Sequence, residues 1–80
     1  MLDMLLSEAN NDEIVKIVSI EVGKGLKQKL LALGIHNDDI VQIVSNPAFG
    51  PILIKNLSKD NARIAIGRGI AQKIKVENVN

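Results

Sequence analysis

The stretch "ARIAIGRGIAQKIKVE", residues 62–77, decides how this chain is read. On an extended backbone Ile64 and Ile66 share one side while Arg63 and Ala65 share the other. After a short break, Ile74 and Val76 are interleaved with Lys73, Lys75 and Glu77. A period of two marks a strand with one face on a core and the other in water. Working outward, the β-branched runs "IVKIVSI" (residues 14–20), "IVQIV" (40–44) and "PILIKNL" (51–57) join "ARIAI" (62–66) and "KIKVE" (73–77) to give five strands. Between them "NND" (10–12), "HNDD" (36–39), "NPAFG" (46–50) and "SKDN" (58–61) supply turns. Five short strands at near-regular spacing with one inserted helix point to a small, strongly bent barrel rather than an open sheet. The expectation is a single domain over residues 1–80, with residues 1–5 loosely held. No internal repeat or low-complexity segment is read, although Asn-Asp recurs at Asn11-Asp12 and Asn37-Asp38, each just before a strand.

The inserted helix lies in "GKGLKQKLLALG", residues 23–34. At 100° per residue Leu26, Leu30 and Leu33 fall within about 60° of one another and are expected to form the buried stripe. Gly34 ends the helix as a residue that tolerates left-handed φ, with Ile35 folding back as a hydrophobic stop. Together with Ile17, Ile43, Ile64, Ile66 and Val76, the three leucines make the expected core. Leu31 projects elsewhere, beside Lys27 and Gln28. Lys24, Lys27 and Lys29 read as charges at a helix beginning, where the peptide dipole disfavours cations, so replacing Lys27 and Lys29 by Glu should tighten the helix slightly. A charge choice that is locally unfavourable often marks a functional surface. Lys24, Lys27, Gln28, Lys29 and Leu31 are therefore the candidate partner-binding residues, set to meet acidic groups across an interface.

Composition narrows the classes of function. With 46% hydrophobic and 24% charged residues the chain can build a core, and that core must be aliphatic because Phe49 is the only aromatic residue. One aromatic leaves no platform for stacking bases, and a net charge of +1 supplies no field for a polyanion, so no nucleic acid is expected. The absence of cysteine excludes disulfides, thiolate metal sites and a cysteine nucleophile, and fits a reducing compartment. The apolar start, Met1 to Leu6, is interrupted by Asp3, has no basic residue before it and is too short to span a bilayer. It is read as neither a targeting segment nor a membrane insert; Leu5 and Leu6 are expected to tuck under the domain, with a membrane-touching tail as the alternative.

No catalytic constellation emerges. "GKG" and "GRG" lack the spacing of a phosphate-binding loop and are read as turns in which glycine supplies positive φ. His36 with Asp38 and Asp39 offers one nitrogen and two consecutive carboxylates that point to different sides, which favours a surface turn over a metal site. A single histidine provides no base and orienting acid for nucleophilic catalysis. No cofactor and no enzymatic activity are expected.

Taken in order, "LSEANNDEIVKIVSI", "GLKQKLLALGIHNDDIVQIV", "GPILIKNL" and "ARIAIGRGIAQKIKVE" resemble the ferrous iron transport protein A family over residues 6–77. The most specific part is Gly25, Leu26, Lys27, Lys29, Leu30, Leu33, Gly34 and Ile35, supported by Gly50-Pro51 and the ending from Ala71 to Val76. Family members usually place Pro-Gly in the two turns where this chain has Asn-Asp, which leaves those turns' geometry open. The resemblance implies a mainly β fold, a five-stranded SH3-like barrel with one inserted helix at about residues 26–33 and a short helical turn near 68–72. It also implies a cytoplasmic, non-enzymatic accessory role beside the membrane transporter of ferrous iron, whose cytosolic GTP-binding domain would be the partner. The same barrel is similar to the C-terminal domain of metal-dependent repressors, which carry a winged-helix DNA reader that these residues do not include. Shared fold alone does not carry function. Alternatives that stay open are a regulatory or nucleic-acid-binding module using Lys24, Lys27, Lys29, Arg63 and Arg68, a metal carrier using His36, and a weak nucleotide hydrolase. Weak self-association through an exposed strand edge is also open.

Overall fold

A computed structural model describes residues 3–79. Its strands are β1 (Met4–Leu5), β2 (Ile14–Ile20), β3 (Ile40–Ser45), β4 (Ile52–Asn56), β5 (Ala62–Ile66) and β6 (Ile74–Asn78), with helices α1 (Lys24–Ala32) and α2 (Arg68–Ala71) and a 3-10 turn at Leu6–Glu8. They form one antiparallel sheet in the order β1-β6-β2-β3-β4-β5. The expected five strands all occur, and β1 is a sixth: two residues are too few to show a period, and only pairing with β6 defines them. Of the segment expected to be loose, Met4 and Leu5 thus belong to the sheet, while residues 1 and 2 lie outside the described residues. The expected barrel is not closed. Among the described residues β1 and β5 are the sheet's edges, and the 3-10 turn after β1 packs against α2 after β5 in place of a last ladder.

The recurrence of Asn-Asp proves to be the visible part of a longer repeat. Residues 11–19, NDEIVKIVS, and residues 37–45, NDDIVQIVS, agree at seven of nine positions. In the sheet the two copies pair with each other. Val15 faces Val41, its own counterpart, with Ile14 on Gln42 and Lys16 on Ile40, so a local two-fold axis passes through the Val15/Val41 pair. The flanking strands obey the same axis. Val15 pairs with Asn78 as Val41 pairs with Asn56, and Ile17 pairs with Val76 as Ile43 pairs with Ile54. Each central strand then shifts register just before its serine, between Ile17 and Ser19 and between Ile43 and Ser45. At the edges Met4 sits on Val76 as Ile64 sits on Ile54.

Both repeats begin with the same backbone device. Asp12 and Asp38 take left-handed conformations, φ 69° and 71°. The Asp12 N–H donates to Ile43 O at 2.7 Å and Ile43 N–H to Glu13 O at 2.9 Å; reciprocally, Asp38 N–H donates to Ile17 O at 2.7 Å and Ile17 N–H to Asp39 O at 2.9 Å. Two residues thus oppose one in a β-bulge whose first residue is left-handed, a place glycine usually takes and aspartate tolerates. This settles the geometry of the two Asn-Asp turns. Bulges sharpen strand bend and twist, which is how a six-stranded sheet this short wraps around one core.

Strand alternation fills that core. Val15, Ile17, Val41, Ile43, Ile52, Ile54, Ile74 and Val76 are fully buried, and Leu6, Leu30 and Ile35 join them from the 3-10 turn and from α1 and its exit. Six of the eight residues expected in the core are there. Leu26 is only half-buried and Leu33 is 57% exposed, which corrects the helix stripe. The reason is the way α1 ends. Gly34 N–H bonds to Leu31 O and Ile35 N–H to Leu30 O, both at 3.0 Å, while Gly34 adopts φ +96°. In this double-bonded stop the residue after glycine packs under the last turn against the residue five before it. Ile35 therefore takes the place beside Leu30, and Leu33, already outside the last turn, is turned outward.

Candidate functional site

α1 begins at Lys24, with Gly23 as its N-cap, no side-chain cap and no acid in the first turn. Lys24, Lys27, Gln28, Lys29 and Leu31 are all exposed, Leu31 by 38%. None of the three lysines has an ion-pair partner among the described residues. Around the helix Lys24, Lys27, Gln28 and Leu31 fall within about 100° of one another, whereas Lys29 lies roughly 100° beyond Gln28. The helix thus brings four of the five candidates together and sets Lys29 apart, toward Leu33. Lys29 also belongs to the last turn, where a cation is favourable, so the reading of all three lysines as misplaced charges holds only for the N-terminal end. Leu33, on the Lys29 side, is an exposed residue that the sequence concealed. The signal was present in Gly34-Ile35, since a stop in which isoleucine folds back leaves little room beneath the helix for the leucine before glycine.

The end of α1 is fastened by a buried polar cluster. Asn56, fully buried at the end of β4, donates through Nδ2 to Gly34 O at 2.8 Å and to Asp39 Oδ2 at 2.9 Å, and its Oδ1 accepts from Ser58 N–H at 3.0 Å. Asp39 also accepts from His36 N–H at 3.0 Å and from Lys59 Nζ at 2.9 Å. Burial pushes the Asp39 carboxyl up, but the bonds from Asn56, Lys59 and the His36 amide outweigh it and hold the group below the usual carboxylate range. The turn at residues 36–39 is present, with Asn37 and Asp38 exposed, but Asp39 departs from the surface reading as a buried structural acid. His36 Nδ1 stands 3.7 Å from Asp39 Oδ2. Among the described residues no three His, Cys, Asp or Glu side chains gather in a way that could hold a metal ion.

The two glycine pairs are also placed differently from expectation. Gly23 and Gly67 cap α1 and α2 with φ of −62° and −58°, so neither supplies the left-handed turn expected of "GKG" and "GRG". They are helix beginnings. Positive φ among the glycines falls instead at Gly34 and at Gly50.

With the geometry in place, comparison with known proteins is informative. The profile of the FeoA domain family matches residues 4–78. A protein of Methanocaldococcus jannaschii that carries the name Fe(2+) transport protein A is 37% identical over 73 residues, covering 91% of this chain and 84% of that protein. A crystal structure of an iron uptake regulatory protein (FeoA) superimposes with a TM-score of 0.87 at 28% identity, over 98% of this chain and all of the other. A manganese-dependent transcriptional repressor reaches 0.86 over 96% of this chain and 42% of the repressor, but at 19% identity it shares the fold alone. A match across both halves of the pseudo-symmetric sheet and through α1 places the chain plainly: it belongs to the FeoA domain family.

Proposed function

We propose that this chain is a non-enzymatic, cytoplasmic accessory of ferrous iron uptake that docks on the cytosolic GTP-binding part of the membrane transporter through the outward side of α1. The family and the Fe(2+) transport name of the archaeal relative supply the pathway. The carrying observation is α1 itself, with lysines that have no acidic partner among the described residues and with Leu31 left in water beside Lys24, Lys27 and Gln28. The chain as a whole carries only +1, so the attraction is local to this helix and suits an acidic patch with an apolar centre. Among the described residues no helix is long and apolar enough to cross a membrane.

The test is binding of the purified chain to the detergent-solubilised transporter at low and high salt. Lys27→Glu with Leu31→Glu should abolish binding and impair ferrous iron uptake in cells while thermal unfolding is unchanged. Undiminished binding by that folded variant would sink the proposal. Salt-dependent binding to duplex DNA, lost in the same variant, would hand the surface to the regulatory reading.

A further inference from the structure

The aromatic residue Phe49 is 89% exposed, at the tip of the loop between β3 and β4. An exposed ring on a floppy loop would mean little, but this loop is braced from beneath. The Arg68 guanidinium donates to Pro47 O and, at 3.3 Å, to Gly50 O, stapling together the carbonyls on either side of Ala48 and Phe49. It also donates to Asn46 Oδ1 at 2.7 Å. Asn46 in turn uses its Nδ2 on Ser7 O and Ala9 O at 3.1 and 2.6 Å, and its N–H on Asn11 Oδ1 at 2.8 Å. The conformation is thus fixed before any partner arrives, and the ordering cost of binding falls accordingly.

We infer that Phe49 is a preorganised anchor that inserts into an apolar pocket of a folded protein partner, and that this partner is the transporter of the proposed function, on which the inference rests. Three observations choose that occupant. Residues 46–54 contain no charged side chain, and Arg68 turns its donors inward, so the tip offers no cation to an anionic lipid surface. Among the described residues the other exposed large apolar side chains, Leu31, Leu33, Leu57 and Val79, belong to other segments; one ring suits one pocket rather than a sheet of lipid. A second copy of the chain is a poor host, because two depressions among its described residues set Leu5 and Met4 amid charged groups, Glu21, Lys73 and Lys75 in one and Asp3, Glu8 and Lys75 in the other, which a buried ring would have to strip of water. Phe49 also sits at the far end of the β3–β4 hairpin from α1, whose exit is fastened to Asn56 at the end of β4. The transporter would be held at two ends, one contact electrostatic and the other not.

The experiment titrates the chain against the detergent-solubilised full-length transporter at low and high salt, with Phe49→Ala, Phe49→Leu and the Lys27→Glu/Leu31→Glu variant in parallel. Phe49→Ala should weaken binding about 30-fold, by the same factor at both salt concentrations, and Phe49→Leu should recover most of it. Circular dichroism melting should match the parent chain for all of them, since Phe49 is 89% exposed and Lys27 and Leu31 lie on the surface. Equal affinity of the parent and Phe49→Ala overturns the anchor while the α1 reading stands. No binding by the parent chain overturns both. Binding of phosphatidylglycerol vesicles, or concentration-dependent self-association, that is lost in Phe49→Ala overturns the inference in favour of lipid or a second copy.

Discussion

At one end of the β2–β3 pair the Asp39 carboxylate lies buried under Asn56 and Lys59, while at the other the equivalent Glu13 carboxylate stays half in water with Asn78 as its neighbour. The backbones beneath them are alike. In both turns the fourth residue's carboxylate accepts the first residue's N–H, Asn10 to Glu13 at 2.9 Å and His36 to Asp39 at 3.0 Å. Both lead into the same bulge, and both are answered by an asparagine on the neighbouring strand. The difference teaches that a nine-residue pattern specifies hydrogen-bonding geometry, whereas depth of burial depends on what the rest of the chain lays over it. On the Asp39 side that cover is the exit of α1, through Gly34 O on Asn56, and the loop that carries Lys59.

The largest effects should respect the two-fold axis. Ile17 and Ile43 are equivalent and both fully buried. Ile17→Ala and Ile43→Ala should each destabilise the fold by about 2–5 kcal/mol and agree with each other within about 1 kcal/mol, as read by urea unfolding. A large disparity would show that the symmetry of pairing is not a symmetry of packing. Leu30→Ala belongs in the same range, whereas Leu33→Ala should change stability by less than about 0.5 kcal/mol because its side chain already faces water.

The polar ends should break the axis. Asp39→Ala leaves the buried Asn56 amide short of an acceptor and should cost about 2–3 kcal/mol, against about 0.5–1 kcal/mol for Glu13→Ala, where water replaces the lost partner. A pH titration of stability isolates the same group. The folded-state value of Asp39 is depressed, so its contribution is present above the unfolded value of about 3.9 and is lost as pH falls through the folded one. Asp39→Asn should flatten that acid limb and leave the neutral-pH slope alone. An acid limb of unchanged steepness would assign it to other carboxylates.

This comparison also marks what the sequence could and could not disclose. Strand positions were legible because alternation is a property of neighbours: Ile64, Ile66, Ile74 and Val76 sit where their period puts them. The repeat was half legible, as a turn dipeptide, because the Ile-Val-x-Ile-Val that follows it is what any buried strand is made of. The burial of Asp39 is not legible because nothing local distinguishes it from Asp38; its depth is set by Asn56 and Lys59, about twenty residues on. Of the candidate surface, exposure at Lys24, Lys27, Gln28 and Leu31 follows from helical phase, while Leu33 was hidden by the way the helix stops. The exposure of Phe49 is legible in "NPAFGP": Pro47, Gly50 and Pro51 break strand and helix on both sides, so no regular element carries the ring into the core.

A smaller effect should restore the symmetry. Asp12 and Asp38 share a left-handed backbone, so Ala at either position should be less stable than Gly by about 1 kcal/mol, the reverse of the order at ordinary sites. Thermal unfolding of the four variants measures it. Equal penalties at both positions would confirm that the bulge is set by backbone alone; a larger one at position 38 would mean that the buried cluster stiffens its own turn.

The smallest effect concerns α1, the element whose exit covers one end of the axis and has no counterpart at the other. Where the Asn46 and Arg68 end leaves its polar groups paired, α1 leaves Lys24, Lys27 and Lys29 in water, and their positions along the helix give them opposite signs. Lys24 is the first helical residue, set against exposed amide N–H groups with no capping side chain, so Lys24→Glu should stabilise the fold by about 0.3–1 kcal/mol. Lys29 lies in the last turn among carbonyls that prefer a cation, so Lys29→Glu should destabilise by a similar amount, against the expectation that both central lysines weaken the helix. Both shifts should shrink as salt is raised, because the groups are exposed. The docking reading predicts that neither stability shift tracks function. Lys24→Glu should bind the transporter less well although it folds better, since it shares its side of the helix with Lys27 and Leu31. Lys29→Glu should bind nearly as the parent does although it folds less well, since it lies round the helix from them. Affinities that instead follow stability in both variants would reduce the lysines to a solvated face.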